Sequence, residues 1–164
     1  MLQGLVISLL LGSPAAVDPQ GTPPAPAPLI APKDPWMAPD FKTFKKAPWI
    51  LENKITPTMA ALEFFSELKD QLEVEAAGRQ GAPLKLRVVL KDLHESPLRL
   101  EDDFTDRGSA GWIDLELGLF APDGHQVFGW STRLSVKRSD ARGHGGFQTA
   151  LTRKLMEELK RRLG

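Results

Sequence analysis

The 164-residue sequence predicts an α+β fold, a two-layer sandwich in which an antiparallel sheet of three to four strands carries two amphipathic helices on one face. Three observations predict it. Two stretches place apolar residues at helical spacing, one before and one after the middle of the chain. Between them lie stretches with apolar and polar residues in alternation. The last two of these are joined by Pro122-Asp123-Gly124, a turn sequence that closes a hairpin. The resulting order is helix, strand, strand, strand, helix, in a length that suits one ordinary domain.

The first helix is expected to start at Thr56-Pro57. A threonine caps free amides, and proline at the first helical position loses no hydrogen bond by lacking its own N–H. Met59, Leu62, Phe65, Leu68, Leu72 and Ala76 then recur at helical spacing up to about Ala77, and Gly78 and Gly81 stop the helix. From Leu84, the residues Leu84, Leu86, Val88 and Leu90 alternate with Lys85, Arg87, Val89 and Lys91, the mark of a half-buried strand. The hairpin follows. Ile113, Leu115, Leu117 and Leu119 alternate with Trp112, Asp114, Glu116, Gly118 and Phe120, and after the turn Phe128, Trp130, Leu134 and Val136 alternate with Val127, Gly129, Ser131 and Arg133. A fourth strand is expected near Trp49 to Leu51 or Leu98 to Leu100. The closing helix, about Phe147 to Leu163, buries Phe147, Leu151, Leu155 and Leu159 with Ala150 and Met156 beside them. Lys160, Arg161 and Arg162 sit at its end, where the helix dipole favours positive charge.

Ahead of the domain, expected at residues 49–164, the composition changes twice. Residues 1–17 read as a signal peptide: Leu2 to Leu11 is apolar but for Gln3, Gly4 and Ser8, and small residues follow, with cleavage expected after Ala15. No Lys or Arg precedes the apolar run, and a buried N-terminal strand or helix is the alternative. The run is about half the length a membrane-spanning helix needs, so no stable span is expected. Residues 18–48 hold nine of the 14 prolines and read as a Pro-rich, polyproline-like linker. Its later part, with Trp36, Met37, Phe41 and Phe44, is rich enough in large apolar groups to dock on the domain or form an edge strand.

Composition narrows the chemistry. Equal numbers of basic and acidic residues, 21 each, argue against nucleic acid or an anionic membrane as the main partner. The absence of cysteine removes disulfides, thiolate metal sites and thiol nucleophiles. His94, His125 and His144 stand in no catalytic or metal-binding spacing, so neither metal, cofactor nor catalytic residue is expected. The candidate site is the loop into the last helix, where Arg142, His144 and the amides of Gly145 and Gly146 would hold an anion. From Asp92 to Glu116, eight acids face two arginines; this reads as a solvated acidic loop that answers the basic end of the last helix.

A signal, a Pro-rich tether, a helix over Thr56 to Ala77, a hairpin over Gly111 to Val136 and a closing helix over Phe147 to Leu163 together resemble small bacterial envelope domains, the LptE-like accessory lipoproteins and related periplasmic lipoproteins. Ser13 stands where their lipidated cysteine would be, so lipid attachment there is chemically closed. The resemblance implies a periplasmic or secreted accessory role, and a cytoplasmic place if the signal reading fails. The leading expectation is a non-enzymatic domain that binds an envelope protein through a sheet edge or the polar sheet face, with self-association as a second mode. Small-ligand or anion binding at the Gly-rich loop, and a hydrolase built on scattered residues, are the alternatives.

Overall fold

The computed structural model describes residues 27–52, 59–96, 108–141 and 146–164. Five strands form one sheet in the order β1-β5-β4-β3-β2: β1 (Trp36–Met37), β2 (Trp49–Glu52), β3 (Leu84–Glu95), β4 (Ser109–Phe120) and β5 (Gln126–Lys137). The helices are α1 (Met59–Ala76), the four-residue α2 (Arg138–Ala141) and α3 (Gly146–Leu163). The α+β class holds, with two differences from the sequence expectation. The sheet has five strands rather than three to four, and β2 pairs parallel with β3 while every other pair is antiparallel. The second difference has a topological cause: α1 lies between β2 and β3 in the chain, and a helical crossover returns the chain to the same end of the sheet.

The hairpin is as the alternation dictates. Leu119 pairs with Phe128, Leu117 with Trp130 and Ile113 with Leu134, so all of these point to one face. Gly124 adopts φ 93° in the turn, a conformation only glycine takes without strain. The same face receives Leu84, Leu86 and Val88 of β3, and α1 and α3 cover it with Phe64, Leu68, Leu72, Leu151, Leu155 and Leu159, all at most 3% exposed. The buried face of α1 is rotated from the expected one. Ala61 and Phe64 are fully buried while Leu62 is exposed, because α1 wedges between α3 and β2 and not flat on the sheet. Thr152, the one buried polar residue of the described core, is satisfied: its hydroxyl accepts from Gln71 and donates within its own helix. The expected Thr56-Pro57 start of α1 lies outside the described residues.

The basic end of α3 is tied down by structure. Lys160 pairs with Glu75, Arg161 and Arg162 with Glu158, and the Arg162 guanidinium lies 4.2 Å over the Trp130 ring. The Arg161 hydrogen bond holds the Glu158 carboxyl below its ordinary range.

The domain takes in chain that composition assigns to the linker. Residues 36–48 form β1, a 310 turn (Pro39–Phe44) and the lead into β2, and Phe41 and Ala47 are buried in the core. Both outcomes raised by Trp36, Met37, Phe41 and Phe44 are found: Trp36–Met37 form the edge strand β1, and Phe41 docks into the core. The apolar groups drive it: a polyproline segment without them has nothing to bury.

Candidate functional site

The face of the sheet turned away from the helices carries the polar half of each alternation, and its geometry divides it in two. One cross-strand row runs Trp36–Gly129–Gly118–Arg87–Glu52, through all five strands. Two of its members are glycines, and neither has a positive φ, so their role is space and not backbone conformation. That space is filled by the N-terminal segment, with a side chain over Gly118 and main chain over Gly129. A Cβ on Gly118 would strike Leu29, and one on Gly129 would strike the Ile30 carbonyl. Residues 27–32 therefore form a strap laid across β5, β4 and β3.

Each end of the strap is fastened through its backbone. Gln126 holds Ile30 by both sides of its amide: Oε1 accepts from Ile30 N at 2.9 Å and Nε2 donates to Ile30 O at 2.6 Å. Ser131 N donates to Pro32 O at 2.8 Å, and Arg87 Nη1 donates to Ala27 O. Arg87 is itself fixed, by Glu52 at 2.6 Å and by packing 4.2 Å over the Phe120 ring. Burial records the strap as well. Alternation gives way to continuous burial over Leu117–Phe120 and Val127–Trp130, where helices cover one face and the strap and its neighbours the other.

Among the described residues no segment crosses the half beyond the strap. Trp112 stands half-buried at its centre, stacked on His94 at 5.7 Å on one side and under the Arg133 guanidinium at 4.0 Å on the other. Arg133 is held in turn by a two-pronged bond to Asp114, at 2.7 and 2.6 Å. This bond holds the Asp114 carboxyl below its ordinary range and raises Arg133. Lys91 pairs with Glu116 alongside at 3.2 Å. An aromatic ring and a guanidinium locked in one geometry are what a protein-binding surface uses, since little side-chain freedom is left to lose on contact.

Other places offer less. A groove of about 360 Å³ between α1 and α3 has Asp70, Glu75 and Glu157 opposite Arg153 and Lys160, without convergence of one charge. Outside β2 no further strand pairs among the described residues, and Ile50 on that edge is exposed. Arg142, His144 and Gly145 of the expected anion site lie outside the described residues. Gly146 is the first residue of α3, with φ 73°. The acids at 101–106 also lie outside. Asp92 and His94 share the open face by register, Asp92 accepting from Leu93 N and His94 stacking on Trp112. Among the described residues no three His, Asp or Glu side chains converge as metal ligands, and no helix is long and apolar enough to cross a membrane.

His125, which stands in no catalytic or metal-binding spacing, has a structural part that the sequence does not announce. Its ring bonds Asp123 at 2.5 Å and Asp40 of the 310 turn at 2.8 Å, clamping the N-terminal segment to the hairpin. The Asp123 bond, and then the Asp40 bond, raise its pKa above the ordinary imidazole value. The strap was missed for a different reason. Its trace in the sequence was two mid-strand glycines on the polar face, a known sign of close backbone approach.

No family model matches the chain, and no curated protein matches it. Among solved structures it is similar to one named a "putative lipoprotein", from Caulobacter crescentus, at 18% identity and a TM-score of 0.42, covering 77% of this chain and 93% of that one.

Proposed function

We propose that the chain is an exported, non-enzymatic domain that binds another component of the bacterial envelope, a protein, through the open half of its polar sheet face. The observation that carries the reading is the Trp112 platform: a large ring fixed between His94 and Arg133, with Arg133 fixed by Asp114. Tryptophan and arginine are the residue types on which protein interfaces most often depend. The paired charges around the ring, Lys91 with Glu116 and Arg133 with Asp114, suit a polar rim and a partner of mixed charge. The signal-like residues 1–17 support export to the periplasm, and the Pro-rich stretch after them supports a tethered accessory part.

The experiment is retention of partners from an envelope extract on the immobilised full chain, with Trp112→Ala run beside it. A specific partner held by the wild type and weakened about 30-fold or more by Trp112→Ala is the expected result, the loss typical of a central interface anchor. No retention, while a control bait recovers its partner from the same extract, overturns the function. Equal retention by both chains overturns the surface.

A further inference from the structure

The strap lies in a seat with the features of a peptide receptor. Its floor is the Gly118–Gly129 pair, which leaves room for a main chain and for one side chain, that of Leu29. Its contacts read backbone, not sequence: the carbonyls of residues 27, 30 and 32 and the single N–H of Ile30. None of these is the N–H that Pro28 or Pro32 lacks, so the seat accepts proline on both sides of the leucine. The receptor groups have partners besides the strap. Arg87 is braced by Glu52 and Phe120, and Gln126 Nε2 is also anchored to Phe128 O at 2.8 Å. The occupant is held lightly by comparison, with Ala27, Pro28, Ile30 and Pro32 exposed and Leu29 half-buried.

From this asymmetry we propose that the trench is a binding site for an extended, proline-flanked peptide that places a leucine over Gly118 and a non-proline residue next, and that the chain's own residues 27–32 occupy it as a displaceable ligand. The site is separate from the Trp112 platform and does not depend on it. A tethered segment acts at an effective concentration in the millimolar range, so a competing peptide gains access only when it outbids the strap or when the strap is withdrawn. The strap thereby sets a threshold for binding, and its departure would also release the N-terminal segment from the face it crosses.

The test uses the full chain with Leu29→Asp, which puts a carboxylate where the leucine packs and vacates the trench without altering its walls. A fluorescently labelled synthetic peptide with the sequence of residues 26–33 is titrated by anisotropy, and circular dichroism checks that each chain is folded. Saturable binding to Leu29→Asp is expected, at least tenfold weaker on the wild type, and absent for a peptide with aspartate in place of its leucine. Adding Gly118→Leu to Leu29→Asp fills the notch and is expected to abolish binding. Ile30→Pro, which removes the N–H that Gln126 accepts, serves as a second vacated chain if Leu29→Asp does not fold. Absence of saturable binding to a folded vacated chain at millimolar peptide overturns the proposal. So does equal binding to wild-type and vacated chains, or binding that survives Gly118→Leu. Each of these readouts is made on purified chain and peptide, so it stands whether or not an extract yields a partner for Trp112.

Discussion

The two halves of the polar sheet face are built from the same three strands and differ in what lies at the cross-strand positions. In the crossed half the row reads Gly129, Gly118, Arg87, and the N-terminal strap fills the space, with the Ile30 main chain over Gly129 and the Leu29 side chain over Gly118. In the open half the rows carry Trp112 with His94 and Asp114 with Asp92, and Arg133 is paired across to Asp114. Small residues let a backbone approach within hydrogen-bond reach of the sheet; large and charged ones fill the same volume with their own side chains and leave the outer surface to solvent or a partner. One half of the face is therefore covered by the chain's own N-terminal segment, and the other carries only its own side chains among the described residues.

That contrast can be broken from either side. The largest effect is expected for Gly129→Val, whose Cβ falls on the Ile30 carbonyl: overpacking of this kind costs about 1–3 kcal/mol, lowers the urea midpoint and opens residues 27–35 to limited proteolysis. Gln126→Ala leaves the space intact and removes the amide that fastens Ile30. About 1–2 kcal/mol is expected from the lost bonds, with the same new protease sensitivity and an unchanged hairpin. In the open half Trp112→Ala is expected to cost about 1–2 kcal/mol and to leave residues 27–35 protected from protease, because the ring contributes its own partial burial and a contact of modest strength with Arg133. An unfolding midpoint that falls further for Trp112→Ala than for Gly129→Val would reverse the assignment of the two halves.

The smallest effect concerns the His125 clamp, and its sign follows from the raised pKa. A group whose pKa is higher in the folded state contributes stability that is fully present below its unfolded value, about 6.5, and is lost as pH rises through the folded value. The melting temperatures of wild type and His125→Gln are thus expected to differ most below the ordinary imidazole value of about 6.5 and to converge as pH rises through the raised folded value. Asp123, lowered chiefly by the His125 backbone N–H and then by its ring, limits the window on the acid side, where protonation of the carboxylate removes the partner. A gap that widens with rising pH would show that the ring stabilises the turn in its neutral form.

Legibility followed the range of the interactions. The hairpin, the closing helix and the basic end of α3 were readable because alternation, helical spacing and the helix dipole act within one element or across one turn. Leu151, Leu155 and Leu159 are buried where the spacing puts them. The face of α1 was readable only approximately: Leu62 and Phe64 both fit a helical stripe, and the position of α3 and β2 chose Phe64. The 310 turn carried its signal in Phe41 and Phe44, apolar groups out of place in a solvated linker, while the strap carried its own in two glycines whose meaning depended on what crosses them.

By itself the sequence determined the fold class, the hairpin with its turn, and the two helices that cover one face, since each rests on periodicity in a contiguous stretch. The tertiary structure decided the parallel placement of β2, the strap over Gly118 and Gly129, the His125 bridge to Asp40, and the grouping of His94, Trp112, Asp114 and Arg133. These join residues far apart in the chain, 85 positions in the case of His125 and Asp40 and 96 in that of Gln126 and Ile30. Local propensity and periodicity do not reach over such separations; only the closing of the sheet, which brings the strands into register, sets which distant groups meet.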